Sequence, residues 1–178
     1  EEFIDLNCPE KGHFILRHDL DTKPKTLLKM LDVEISHNVH STIFVRTTGN
    51  EYNVLSYPVM NLLQRANEQG FEIGCHTSFV EYALINKLDP MNVLELEYKI
   101  LSSFFDISGL APHRDLNYAY NSLPYIEKNW KKIKDLGFEY NAYDQSILKN
   151  AQYVNEGFNP HLCWRDKAPE DIIPSGQS

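Results

Sequence analysis

Ile15-Leu16-Arg17-His18-Asp19-Leu20-Asp21 is where the sequence changes character most abruptly. Phe14, Ile15 and Leu16 read as the start of a buried strand. His18, Asp19 and Asp21 follow at once, and a buried strand holds ionisable groups only when they have partners. A strand that runs into charge at its carboxyl end is how α/β proteins place chemistry, because that end opens into a crevice. Thr22-Lys23-Pro24 then breaks the strand and a helical pattern begins.

Working outward, the first strand is expected over 14–18 and the first helix over 25–37, with Leu27, Leu28, Leu31, Val33 and Ile35 near helical spacing. A β-branched and aromatic run over 41–46 reads as strand two. A helix over 58–69 stops at Gly70, and strand three, 71–75, ends on His76. Asp89-Pro90 opens a helix over 90–105, with the acid as N-cap and the proline at the first position. A short strand at 110–111 runs into Pro112-His113-Arg114-Asp115. A helix over 123–136 ends at Gly137, and strand five, 138–143, ends on Asp144. The remainder to residue 178 is weakly periodic, with Ile172-Ile173 as one further short strand. Strands alternating with helices over short connections predict an α/β fold with a parallel sheet, doubly wound or closed as a barrel. The tips of strands one, three, four and five carry Asp19/Asp21, His76, His113 and Asp144, and in a barrel such tips converge on one mouth.

The 178 residues fit one domain, 1–178, of soluble composition: 42% hydrophobic, 24% charged, mean hydropathy −0.42. No apolar run approaches the ~20 residues of a membrane span, and no secretory leader is visible at the start. A net charge of −8 without a Lys/Arg cluster argues against nucleic acid or an anionic membrane as partner. Cys8, Cys75 and Cys163 are sparse and widely spaced, which suggests reduced thiols and a cytoplasmic setting.

Asp19 and Asp21, two apart on an extended chain, face the same side. Two carboxylates that close repel, so a cation or a raised pKa is needed to hold them in a closed site. The bland reading is a strand end that caps the next helix. The chemical reading makes Asp19 a general base and Asp21 a metal ligand. His76 and His113, at the ends of other strands, complete with Asp21 the three-protein-ligand set of a catalytic divalent metal, Zn²⁺ being the first candidate. His161 is a reserve ligand, while His13, His37 and His40 read as ordinary. Tyr118, Tyr120, Tyr125, Tyr140, Tyr143 and Trp164 are mostly packing, although aromatic faces also suit sugar rings. Cys75 beside His76 points to the opposite face, which disfavours a thiol nucleophile at this site.

Together these motifs resemble the polysaccharide deacetylase family, the NodB homology domain or carbohydrate esterase family 4. Arg17-His18-Asp19-Leu20-Asp21 resembles its His-Asp-Val-Asp variant, and Ser41-Thr42-Ile43-Phe44-Val45 its Ala-Thr-Phe-Phe-Val strand. Gly70-Phe71-Glu72-Ile73-Gly74-Cys75-His76-Thr77 resembles Gly-His-Glu-Ile-Gly-x-His-Thr, the most specific piece. Ala111-Pro112-His113-Arg114 falls where the Arg-containing motif does, and Tyr140 to Ser146 resembles Tyr-x-Asp-x-Ser. The resemblance covers about residues 14–174. It implies a distorted (β/α)₇ barrel, incomplete at its carboxyl end. It also implies metal-dependent removal of an N- or O-acetyl group from a carbohydrate, with Asp19 as base, Asp21 and His76 as ligands, and Arg114, Asp144 and Trp164 against substrate. The alternative is a non-catalytic carbohydrate-binding relative that keeps the barrel. Two departures stand out. Val80 replaces the second motif's further His, so His113 is substituted on strand-tip grounds. No Leu-x-His counterpart supplies the acid: the chain continues in a longer form, or His161 serves, or the relative is inactive. The roles of Asp19 and Asp21 are also exchangeable on sequence alone.

Overall fold

The computed structural model describes residues 14–113, 121–149, 151 and 154. The chain groups into two compact units, Glu1–Tyr143 and Asp144–Ser178. The first carries β1 (Arg17–Leu20), α1 (Lys25–Ser36), β2 (Thr42–Val45), α2 (Tyr57–Glu68), β3 (Glu72–Thr77), α3 (Phe79–Asn86), α4 (Pro90–Ser102), β4 (Gly109–Pro112), α5 (Leu123–Leu136) and β5 (Tyr140–Asn141). In the second, α6 (Gln145–Leu148) is the one described helix. No helix among the described residues is long and apolar enough to cross a membrane.

The strands form one sheet in the order β1-β2-β3-β4-β5, and every pairing is parallel. The expected α/β class with a parallel sheet is therefore present. Parallel strands must be joined by crossovers, which α1, α2, α3 with α4, and α5 supply. Register places Asp19 beside Phe44 and Phe44 beside Gly74, so all the carboxyl ends lie at one edge. Alternation then divides the side chains. Ile43, Val45, Ile73, Cys75 and Leu110 face the helices and are essentially inaccessible, in one core with Leu63, Leu94 and Leu101. Arg17, Asp19, Phe44, Glu72, Gly74, His76 and Tyr140 fall on the other face.

Expected signals appear where local chemistry decides them. Asp89 caps α4 by accepting from the N–H groups of Met91 and Asn92, with Pro90 at the first position. Gly137 ends α5 at φ 122°, a region that favours glycine. Two expectations need correction. The first strand is Arg17–Leu20 and not 14–18: Phe14 and Ile15 are more than 60% exposed. Among the described residues β1 pairs only with β2, whose Thr42–Val45 lies opposite 17–20, and the polar side chains of β1 find partners that hold this register. Leu16 contributes only its carbonyl, accepting from Thr42 N–H. Secondly, Phe79–Asn86 forms α3, which the sequence reading leaves as a connection. Its near-continuous apolar run hides helical periodicity because Leu84 and Ile85 are apolar yet more than half exposed, while Glu81 is buried with Phe79, Val80 and Ala83.

Candidate metal centre

Three strand exits supply the cluster. Asp21 follows Leu20 after a tight turn in which its N–H donates to Asp19 O at 3.0 Å. His76 lies within β3 and is 2% exposed. His113 follows Pro112, and its N–H donates to Thr77 O at 2.7 Å, prolonging the β3–β4 ladder. Their ligand atoms all lie within 4.8 Å of one another. Asp21 Oδ1 is 3.2 Å from His76 Nε2 and 3.3 Å from His113 Nε2. The two imidazoles meet edge to face at 87°, with centroids 5.0 Å apart.

The protonation of His76 gives this geometry its meaning. Its Nδ1 lies 2.9 Å from Ala111 O. A carbonyl only accepts, so Nδ1 carries the proton and the neutral ring has its lone pair on Nε2. Nε2 and the Asp21 carboxylate are then two acceptors face to face, an arrangement stable only with positive charge on or between them. That charge is a second ring proton or a cation. The spacing fits a cation: tetrahedral bonds of about 2.0–2.1 Å put neighbouring ligand atoms roughly 3.3 Å apart. A backbone carbonyl orienting the imidazole from behind is the usual support of a metal-ligating histidine.

With the second ring proton supplying that charge, burial pushes the Asp21 carboxyl up, but the hydrogen bond from His76 and the charges of His76, His113 and Arg46 outweigh it and hold the group below the usual carboxylate range. Asp19 stands next to the cluster without joining it, its Oδ2 4.0 Å from His76 Nε2. Arg17 Nη2 donates to that Oδ2 at 2.8 Å and to Tyr143 Oη at 2.5 Å, while its guanidinium lies 4.3 Å from the Tyr143 ring centre. The strand tip thus gives its two carboxylates different surroundings. Asp21 faces imidazoles and Asp19 is gripped by a guanidinium.

No protein-family model, curated protein or solved structure matches this chain.

Of the residues singled out in the sequence, Asp19, Asp21, His76 and His113 come together. Arg114, Trp164 and His161 lie outside the described residues, as do Tyr118, Tyr120, Cys8 and Cys163. Asp144 caps α6, accepting from Ser146 N–H and Ser146 Oγ at 2.7 Å each, which holds its carboxyl below the ordinary range. His18 turns to the face opposite Asp19 and bonds Glu34 at 2.5 Å, so it pins β1 to α1. Val80 is 2% exposed within the apolar core and offers no ligand. Cys75 is wholly buried on the helix-covered face, and burial raises its thiol. Gly74 does remove bulk beside His76, and the space is filled: a Cβ there would lie 2.5 Å from the Phe44 ring.

Sequence reasoning missed Arg17, Arg46 and Tyr52. Arg17 carried a signal, lying two residues before Asp19 on the same face. Arg46 ends the run read as strand two and obeys the strand-tip rule, but a search for metal ligands passes over arginine. Tyr52 had none. It lies in the connection after β2, where its hydroxyl accepts from Arg46 N–H and donates to Leu20 O, each at 2.8 Å. Burial comes first among the causes that push its phenol up to about 12.

Proposed function

We propose that this chain is a metal-dependent hydrolase that removes an acetyl group from an N- or O-acetylated carbohydrate. Asp21, His76 and His113 would hold the divalent ion. The observation that carries the reading is the His76 ring, fixed by Ala111 O so that its Nε2 meets the Asp21 carboxylate at 3.2 Å. The nitrogen-rich donor set favours Zn²⁺. When bound, such an ion supplies a Lewis acid that polarises a carbonyl and makes a coordinated water acidic near neutral pH.

The chain's own groups divide the remaining work. Asp19, beside the ligand set but outside it, is placed to take a proton as general base. Arg17 orients it through the 2.8 Å contact of its Nη2 with Asp19 Oδ2. This assignment distinguishes the two acids that the sequence left exchangeable. Three-residue coordination leaves one position for the substrate oxygen. The carbohydrate class rests on the order and spacing of the motifs around Asp19, Gly74 and Pro112, and on the resemblance they carry. A barrel is the architecture this reading prefers: a doubly wound sheet reverses its strand order part-way, whereas β1 to β5 run in sequence without reversal.

Metal analysis of the purified protein beside Asp21→Ala and His76→Ala tests the reading. Wild type should hold about one equivalent of divalent ion, and each variant should lose at least tenfold in affinity, because three ligands become two. Acetate release from N-acetylated oligosaccharides should follow occupancy. Equally little metal in all three proteins would sink the hydrolase; metal without acetate release would leave a binding relative.

A further inference from the structure

We propose that Tyr52 is a positioning residue for the metal ligand Asp21: its hydroxyl, set into the last rung between β1 and β2, fixes the peptide plane from which Asp21 reaches the ion. The inference rests on the metal reading above. Parallel strands exchange evenly spaced bonds. Leu16 O accepts from Thr42 N–H at 3.0 Å, and the register pairs Leu20 with Val45. In that register the donor due to Leu20 O is Arg46 N–H, one residue past β2. The Tyr52 hydroxyl, from the connection between β2 and α2, stands in this rung instead. It accepts from Arg46 N–H and donates to Leu20 O, each at 2.8 Å. The backbone could make that bond by itself, so neither group needs the phenol for want of a partner. What the phenol decides is where Leu20 O points.

Leu20 O and Asp21 N–H belong to one planar peptide unit, which also contains the Asp21 Cα. Tyr52 holds its carbonyl, and Asp19 O holds its N–H at 3.0 Å, so the plane is fixed at both ends. Asp21 has more need of such anchorage than the imidazoles. Its side chain is 45% exposed, against 2% for His76 and 17% for His113, so packing does little to hold it. Its Oδ1 nevertheless stands 3.2 and 3.3 Å from the two Nε2 atoms. A metal site needs bond lengths correct to within about 0.2 Å. Without the hydroxyl the rung can close directly; the plane between Leu20 and Asp21 then turns towards β2 and carries the carboxylate with it. The fold survives this exchange of one bond for another, and the ligand spacing does not.

Cobalt(II) is titrated into wild type, Tyr52→Phe and Tyr140→Phe and followed by its visible bands, whose position and intensity report ligand geometry. Tyr140 is the control, a half-buried phenol whose hydroxyl donates to Glu72 rather than to a ligand's peptide. Tyr52→Phe should bind cobalt about tenfold more weakly and with altered bands, and Tyr140→Phe should match wild type in both. Wild-type affinity and bands in Tyr52→Phe overturn the proposal while leaving the metal reading intact. Equal losses in both variants overturn it too, since a hydroxyl lost anywhere would then loosen the site. If Tyr52→Phe does not fold, 4-aminophenylalanine at position 52 decides, because its amine still donates to Leu20 O but less strongly. Cobalt binding weakened about threefold with shifted bands then supports the role, and wild-type behaviour rejects it. Absence of cobalt binding by wild type removes the metal reading and this inference together.

Discussion

On one face of the sheet Ile43, Val45, Ile73 and Leu110 are no more than 1% exposed and belong to one continuous apolar core. On the other face Tyr140 Oη donates to both carboxylate oxygens of Glu72, Thr42 Oγ1 donates to the same carboxylate, and Arg17, Asp19, Asp21 and His76 continue the polar contacts to the strand tips. The first face depends on volume and tolerates no loss of it. The second depends on complementarity, since each buried charge or hydroxyl is bearable only beside its partner. A chain built this way can keep its fold while its site changes, and the reverse is harder.

The largest effect should come from breaking the apolar face close to the site. Ile73→Ala empties a fully packed position three residues before His76. It should cost about 2–5 kcal/mol in denaturant unfolding, with an unchanged slope and unchanged metal affinity in the folded fraction. A cost below about 1 kcal/mol would mean that the core yields around the position more than close packing allows. Next is Gly74→Ala, on the polar face of the same strand. The added methyl meets the Phe44 ring at 2.5 Å, so the ring must move, at about 1–3 kcal/mol. Phe44→Leu in the same chain should recover part of that loss. If the double variant is no more stable than Gly74→Ala, the ring is not what fills the space.

Much of this division was legible in the sequence. The two aspartates at i and i+2, and the histidines at the ends of two later strands, are strand-tip signals, and parallel pairing brings such tips to one edge whatever lies between. Gly74 and the cap at Asp89 were legible because their chemistry is local. Others were not, for definite reasons. The start of β1 is decided across the sheet by β2, and the more apolar 14–16 gave the wrong register. α3 has no clean period because apolar Leu84 and Ile85 lie on its exposed side while Glu81 is buried. The roles of Arg17 and Arg46 depend on which atoms face them across strands, and the position of Tyr52 on a loop path that no spacing encodes. Val80 shows the same lesson reversed: a place that the resembled pattern gives to a ligand here belongs to the core.

The smallest effect probes an exception to the contrast, a carboxyl buried on the apolar side. Glu97 on α4 is 1% exposed and accepts from Thr47 Oγ1 at 2.7 Å, from Thr48 Oγ1 at 3.3 Å and from Thr77 Oγ1. Burial raises its pKa; those hydroxyls and the charge of Arg46 offset the rise only in part. The folded state therefore holds this proton over a range where the unfolded chain has released it. Stability must fall as pH rises from the unfolded carboxyl value, about 4.3, through the higher folded value. Glu97→Gln keeps the shape and cannot ionise. Near pH ~4 the two proteins should agree within about 0.5 kcal/mol, and the variant should gain on wild type as pH approaches ~8. A flat difference across that range, or wild type gaining, would mean that Glu97 is ionised in the fold. The apolar side would then hold a charge, and the contrast between the faces would be one of degree.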